Sequence, residues 1–238
     1  MRDVNNNNNM VNIMDIVLIP GALNTSKLWT QQMSLFQQKS IDFVDVLNSD
    51  CIVEMASRYA PIAPKKFTLI GFSMGGYVAL ELYRQLPDNI EKLILINSAA
   101  NVMSEKGVIE RERSLELINK GKFDFLIKLI FKNSIYDEEK QSCLMPIIQS
   151  MANEIGTENY KKQLIAMLNK PDHSSILSSI SCPTLLIAGA QDRVMPKAQS
   201  EHLARHIKNS ELITIENCGH MAMLEQPDKV NQILSAWL

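Results

Sequence analysis

The chain has 238 residues, of which 46% are hydrophobic and 21% are charged. This balance is typical of a folded globular domain and excludes disorder, collagen-like repeats and coiled coil. The 24 Lys and Arg residues nearly balance the 26 Asp and Glu residues, so no basic field would attract nucleic acid or anionic lipid. The apolar runs are too short to cross a bilayer, and the N-terminus lacks the apolar core of a secretory signal. We therefore expect a cytoplasmic protein without a membrane span or a nucleic-acid partner.

The predicted strands and helices begin after an Asn-rich stretch, residues 1–14, which we expect to be a flexible tail. Met10–Met14, within it, is a candidate for a frayed seventh strand. Helical patterns at Tyr77–Leu86, Gln199–Lys208 and Pro227–Leu238 alternate with short apolar runs. Such runs indicate strands buried on both faces; they are Asp15–Ile19, Ile41–Val46, Lys66–Ile70, Lys92–Ile96, Thr184–Ala188 and Glu211–Ile215. The sequence thus predicts an α/β fold, with a mostly parallel sheet of six or seven strands and helices on both faces.

Residues 101–171 break this alternation, because they contain helical patterns and no convincing strand. The patterns lie at Leu115–Ile118, Phe123–Phe131, Leu144–Met151 and Tyr160–Leu168. We expect this segment to be a helical cap, inserted over the carboxyl edge of the sheet. Residues 15–100 and 172–238 would then form the core.

The strongest motif is the Gly-x-Ser-x-Gly sequence Gly71–Gly75, which follows a predicted strand directly and precedes a predicted helix. A serine in such a tight strand-to-helix turn projects above the sheet, and the turn needs small residues on both sides. Ser73 is therefore the candidate nucleophile.

A serine hydroxyl needs a base to activate it, and the base needs a carboxylate to orient it. His220 is the best candidate for the base, because it lies in the loop after the last predicted strand, at the edge where open α/β sheets bind ligands. His202 and His206 share a helix without a third ligand and are expected at the surface, whereas His173 is a weaker candidate for lining the site.

Asp192 best supplies the carboxylate, because it follows the strand Thr184–Ala188 and gives the chain order Ser, Asp, His. Glu216, Glu225 and Asp228 are rival acids. The widely spaced cysteines indicate free thiols, and the motifs predict neither a cofactor nor a metal site.

Four stretches carry a resemblance to a known family: Gly71–Glu81, Lys92–Ala99, Cys182–Asp192 and Cys218–Pro227. They are similar to the α/β-hydrolase superfamily, and in particular to its small capped serine esterases, such as pimeloyl-carrier-protein methyl ester esterases and 3-oxoadipate enol-lactonases. The resemblance covers residues 16–238. It implies an α/β-hydrolase fold, in which this chain would have a shortened N-terminal hairpin.

The resemblance also implies an oxyanion hole formed by two backbone amides, those of Ala22 and Met74. Pro20 occupies a position at which the family usually has a histidine. Trp29 occupies a position at which the family often has an aromatic residue. We expect Leu23, Trp29, Met195 and Met221 to contact the substrate, since flexible thioethers suit an apolar pocket.

The activity expected from these residues is cleavage of a small carboxylic ester through an acyl-enzyme, with thioesters and lactones as further candidates. The same triad could serve an acyltransferase or a C–C bond hydrolase, and the fold could also serve a non-catalytic receptor for a small molecule. The protein would act as a monomer or a homodimer.

Overall fold

A computed structural model describes residues 15–238, so that the predicted tail and the candidate strand at Met10–Met14 lie outside the described residues. The described part contains one sheet of six strands, all parallel, in the order β2-β1-β3-β4-β5-β6. The strands are β1 Asp15–Ile19, β2 Ile41–Phe43, β3 Phe67–Phe72, β4 Ile90–Ile96, β5 Thr184–Gly189 and β6 Ser210–Ile215. This architecture is the α/β-hydrolase fold that the sequence predicted.

Burial follows the position of each strand in the sheet. Every residue of the inner strands β3 and β5 is buried, whereas the edge strands β2 and β6 are partly exposed. Strand β2 is shorter than the predicted run Ile41–Val46, because its register with β1 covers Ile41–Phe43. The Val44 amide makes one more hydrogen bond to β1, with the Leu18 carbonyl at 3.0 Å. Val44 and Val46 are nevertheless buried, so their apolar character reflects core packing beyond the end of the strand.

Five helices accompany the sheet: α1 Ile52–Tyr59, α2 Met74–Gln85, α6 Lys197–His206, α7 Ala222–Glu225 and α8 Pro227–Trp237. Helix α2 packs against β1, β3 and β4, and helix α6 packs against β5 and β6. Helix α2 begins three residues earlier than predicted. The added residues include Gly75 and Gly76, which pack closely against other parts of the fold. A Cβ on Gly75 would collide with the carbonyls of Ile19 and Pro20, and a Cβ on Gly76 would collide with the side chain of Ser98.

Three helices lie between β4 and β5 in the chain: α3 Glu105–Asn119, α4 Phe123–Ser134 and α5 Glu138–Leu168. The side chain of Ser104 caps α3 and that of Asp137 caps α5. Helix α5 is interrupted at Gly156, whose positive φ of 73° is a conformation that glycine adopts readily. These helices, with the turns that join them, are called the helical segment below. No helix within residues 15–238 is long and apolar enough to cross a membrane.

Candidate active site

Ser73 lies at the junction of β3 and α2, in a strained backbone conformation with φ 52° and ψ −117°. A positive φ is uncommon for a residue other than glycine, and strain of this kind concentrates at functional sites. The turn is fixed from both sides, since the Ser73 amide donates to the Ile96 carbonyl at 3.0 Å and the Ser98 hydroxyl donates to the Ser73 carbonyl at 2.9 Å. Gly71 is required here, because a Cβ on it would meet the backbone of Gly75 and Gly76.

The three predicted triad residues meet at the carboxyl edge of the sheet. Ser73 Oγ is 3.0 Å from His220 Nε2, and His220 Nδ1 is 2.7 Å from Asp192 Oδ2. Asp192 and His220 are buried and Ser73 is partly exposed. A serine is thus hydrogen-bonded to a histidine that a carboxylate orients from the other side, an arrangement that can remove a proton from the hydroxyl.

Asp192 is oriented by the loop that follows β5. Its second oxygen, Oδ1, accepts hydrogen bonds from the amides of Val194 and Met195, each at 2.8 Å. Because these bonds hold one oxygen, the other oxygen is directed at His220. Met195 therefore contributes its backbone to the site.

The His220 loop, residues 218–221, is held by hydrogen bonds to Asn97 and Ser134 and by packing against Gly189. Asn97 Nδ2 donates to the His220 carbonyl at 2.7 Å, and the His220 amide donates to the Ser134 carbonyl, also at 2.7 Å. The loop also packs against the end of β5, where a Cβ on Gly189 would collide with the Gly219 carbonyl. The base is consequently placed by the core and by the end of α4 together.

Glu225, one of the rival acids, anchors this loop and does not contact the His220 ring. Its Oε1 accepts from the amides of Gly219 and Met221, both at 3.1 Å, and its Oε2 accepts from the Tyr136 amide at 2.8 Å. Burial raises the pKa of Glu225, although these backbone hydrogen bonds oppose the shift. The other two rivals, Glu216 and Asp228, are exposed. The anchoring role of Glu225 had no sequence signal beyond its proximity to His220.

A cavity of about 480 Å³ lies above Ser73 and His220, and the helical segment forms much of its wall. The apolar side chains that these helices contribute to the lining are Leu117, Leu126, Leu129, Ile130, Phe131, Leu164 and Met167. A cavity of this size can accommodate a small acyl group.

Two of the four predicted contact residues, Leu23 and Met221, line the cavity, and Trp29 and Met195 do not. Ala22, which is predicted for the oxyanion hole, also lines it. Trp29 is fully buried at the end of a short 3-10 helix, Ser26–Trp29, where its aromatic character serves the core. The side chain of Met195 is packed against the core outside the cavity lining. The expectation that Trp29 and Met195 contact the substrate is therefore corrected by the structure.

The loop after β1 is held by the helical segment. Leu23 has a positive φ of 60°, and its amide donates to Gln163 Oε1 of helix α5 at 3.1 Å. No backbone hydrogen bond within residues 15–238 occupies the amides of Ala22 and Met74. Gln163 thus supports a loop in which proline replaces the usual histidine, a contact that sequence spacing could not reveal.

The remaining histidines lie away from the cavity lining. His173 is buried and pairs with Glu81 at 2.8 Å, while His202 and His206 stack on each other along α6 with ring centroids 4.2 Å apart. In the described part of the chain, no group of three or more His, Cys, Asp or Glu side chains could hold a metal ion.

The sequence profile described as "Alpha/beta hydrolase family" matches residues 16–233, nearly the whole chain. The chain belongs to this family. Among curated alpha/beta hydrolases, it is 29% identical over 174 residues to 3-oxoadipate enol-lactonase 1 of Acinetobacter baylyi, an alignment that covers 73% of this chain. The aligned part of this chain spans 64% of the length of that lactonase. It spans the same share of the length of two other curated relatives, which are 28–29% identical to it.

A second relative matches over more of its length. The pimeloyl-[acyl-carrier protein] methyl ester esterase of Nitrosomonas europaea is 22% identical over 231 residues, which cover 90% of this chain and 92% of the esterase. Among solved structures, the esterase of Exiguobacterium antarcticum superimposes with a TM-score of 0.84 at 20% identity, covering 94% of this chain and 91% of that one. This structural likeness shows the alpha/beta hydrolase fold.

Proposed function

We propose that the protein is a serine hydrolase that cleaves carboxylic esters through an acyl-enzyme intermediate. The observation that carries this proposal is the continuous hydrogen-bonded chain from Ser73 Oγ to His220 and on to Asp192, with distances of 3.0 and 2.7 Å. Ser73 and His220 lie at a cavity whose lining includes many apolar side chains, so the activated hydroxyl faces a space where an acyl group can bind.

The reaction follows from the position of each group. Ser73 Oγ attacks the acyl carbon while His220 Nε2 takes its proton, and Asp192 stabilises the imidazolium that forms. The tetrahedral intermediate collapses, the C–O bond to the alcohol breaks, and His220 returns the proton to the departing oxygen. Water then attacks the acyl-enzyme with His220 again as the base, which releases the acid and restores the Ser73 hydroxyl.

The amides of Ala22 and Met74 would bind the oxyanion of both tetrahedral intermediates. Two observations support this assignment: no backbone hydrogen bond in residues 15–238 uses either amide, and Gly75 packs directly against the backbone of Ile19 and Pro20. The nucleophile turn and the loop after β1 are therefore neighbours. Preorganised donors of this kind stabilise the developing negative charge.

The helical segment would act as the cap that the sequence predicted for residues 101–171, because it supplies most of the apolar cavity wall. The printed names of the relatives include an esterase and a lactonase, which supports carboxylic esters and lactones as substrates. All four cysteines are free, which fits the predicted cytoplasmic location.

The test is labelling with a fluorophosphonate, which reacts covalently with activated serines, followed by measurement of intact mass. We expect one adduct on the wild type and none on Ser73→Ala. Ser114→Ala is the matched control, since Ser114 also lines the cavity but donates its hydroxyl proton to the Glu110 carbonyl within helix α3. An adduct that persists on folded Ser73→Ala, or a wild type that hydrolyses no ester in a chain-length series, would contradict the proposal.

A further inference from the structure

The charged side chains around the cavity are mostly cationic. Lys106, Arg111 and Arg113 reach it from helix α3 and Arg193 reaches it from the loop after β5, whereas Glu110 is the single carboxylate in the lining. The whole chain has a net charge of −2, so this positive charge is a local feature. Cations collected in a cleft raise the local concentration of anionic ligands.

Arg111 differs from the other cations in its burial. Only 19% of its side chain is exposed, compared with 87% for Lys106, and its Nε is buried without a hydrogen-bond partner in the described part of the chain. Its Nη1 donates to the Gly107 carbonyl at 3.3 Å and is 4.0 Å from the nearest oxygen of Glu110. A guanidinium has five N–H donors, and Nη1 is the one nitrogen of Arg111 with a hydrogen bond in the described part of the chain, so most of the donors are unpaired.

One half-exposed carboxylate, Glu110, faces Arg111 at 4.0 Å, and a second cation adds to the positive charge around it. Lys170 lies close enough for the two cations to repel: burial lowers the pKa of Lys170 to about 8, Asp172 opposes the shift, and Arg111 adds to it. The Lys170 ammonium lies over the Tyr77 ring, 4.3 Å from its centroid, and donates to the Asn101 carbonyl. A buried, incompletely hydrogen-bonded cation is costly, and a bound anion would relieve that cost.

We propose that the substrate is an ester whose acyl chain ends in a carboxylate, and that Arg111 binds this carboxylate while Ser73 attacks the ester at the other end of the chain. This inference deepens the proposed function and rests on it. Leu117, Leu126 and Leu164 line the same cavity, so the part of the acyl chain between its two ends is hydrocarbon. A carboxylate fits better than a phosphate, because Arg111 is the one cation of the cavity lining that is not exposed, and it matches one negative charge. The second charge of a phosphate would have to be desolvated unpaired.

The first experiment measures binding and does not depend on turnover. Ser73→Ala protein is titrated by calorimetry with monomethyl adipate and with methyl hexanoate, an uncharged ester of the same acyl chain length. We expect tighter binding of the monoanion, and a loss of roughly 10- to 100-fold when Arg111→Gln is added, as for a lost hydrogen bond to a charged group. Arg111→Lys, which keeps the charge but loses the planar fork, should retain part of the affinity.

Arg113→Gln is the matched control, because it removes the same charge from the same helix at an exposed position. It should change the affinity by less than about 3-fold and only at low salt, since exposed charges are screened. Equal affinity for the charged and the neutral ester would overturn the proposal. So would an equal loss in Arg113→Gln and Arg111→Gln, which would indicate a diffuse field, or tighter binding of a phosphonate analogue than of the carboxylate.

A turnover measurement separates this inference from the proposed function. In the wild type, kcat/KM for monomethyl adipate should exceed that for methyl hexanoate, and the ratio of the two should fall roughly 10- to 100-fold in Arg111→Gln. Arg111-dependent binding without hydrolysis of any ester would overturn the proposed function and leave the anion site standing. Hydrolysis of both esters, with the same ratio of kcat/KM values in Arg111→Gln as in the wild type, would overturn the anion site and leave the proposed function standing.

Discussion

Residues 15–238 contain two buried pairs of a carboxylate and a histidine, with nearly the same geometry and very different surroundings. Asp192 and His220 are 2.7 Å apart at the carboxyl edge of the sheet. Glu81 of helix α2 and His173 are 2.8 Å apart, and neither lines the cavity. The first pair meets a serine in a strained turn. The Glu81 carboxylate instead accepts further hydrogen bonds from Arg84 and Gln85.

The difference shows that a short distance between an acid and a histidine does not identify a catalytic base. At His220, the second ring nitrogen contacts Ser73 Oγ, so a proton can pass to or from a reacting group. At His173, the second ring nitrogen is buried with no hydrogen-bond partner in the described residues. The first pair can exchange a proton with a ligand, and the second can only hold segments of the fold together.

Asp192→Asn should give the largest effect that separates the two pairs. The amide would accept from the loop amides as Asp192 does, but it would not stabilise an imidazolium or favour the correct histidine tautomer. We expect kcat for an ester substrate to fall by about 10⁴-fold, with a melting temperature close to that of the wild type. A variant that kept more than a tenth of the wild-type kcat would show that Asp192 does not orient the base.

Glu225→Gln should have a smaller effect on turnover, because Glu225 acts only through the position of His220. Both of its oxygens accept from backbone amides, and a glutamine side chain offers one acceptor oxygen in place of two. We expect kcat to fall roughly 10- to 100-fold, as for a small misplacement of a catalytic group.

The matched control for that variant is Asp228→Asn, at an exposed position in the first turn of α8. It should leave kcat unchanged. The pH dependence of kcat separates positioning from a general loss of stability: Glu225→Gln should shift the profile even at temperatures where the protein is fully folded, and a profile identical to the wild type would count against a positioning role.

Glu81→Gln should affect turnover least and stability most clearly. The variant would weaken the hydrogen bonds with Arg84 and His173, which should lower the free energy of unfolding by about 1–3 kcal/mol. Because this pair does not line the cavity, kcat measured well below the melting temperature should stay within about 2-fold of the wild type. A large loss of kcat without a change in unfolding would contradict the assignment of the second pair to the fold.

The stability of the fold at acid pH should also depend on the Glu81 carboxylate. Burial raises the pKa of Glu81, but hydrogen bonds from Arg84, His173 and Gln85 outweigh it and hold the pKa at about 2, below the ordinary value of 4.5. The ionised group therefore stabilises the fold fully above pH 4.5, and this stabilisation is lost as the pH falls towards 2. Denaturant titrations should show a difference in the free energy of unfolding between wild type and Glu81→Gln. This difference should be constant above pH 5 and should shrink as the pH falls from 4.5 towards 2.

The sequence predicted the sheet and the order of the triad because their signals are local. Buried inner strands are continuous apolar runs, and the turn at Ser73 needs glycines at fixed offsets. The failures concern side chains whose surroundings come from distant parts of the chain. Trp29 is buried by the packing of the core, and the support that Gln163 gives to Leu23 joins residues 140 positions apart. No spacing rule could place either of them.

Two hydrogen bonds that join residues 134–136 to His220 and Glu225 have a practical consequence for engineering. The Ser134 carbonyl accepts from His220 and the Tyr136 amide donates to Glu225, so this short stretch between α4 and α5 belongs structurally to the hydrolase core. A chimera that exchanged residues 101–171 as one block would replace part of the support of the base along with the cavity wall. Grafts that retain residues 134–136 would allow the cavity wall to be redesigned while that support stays native.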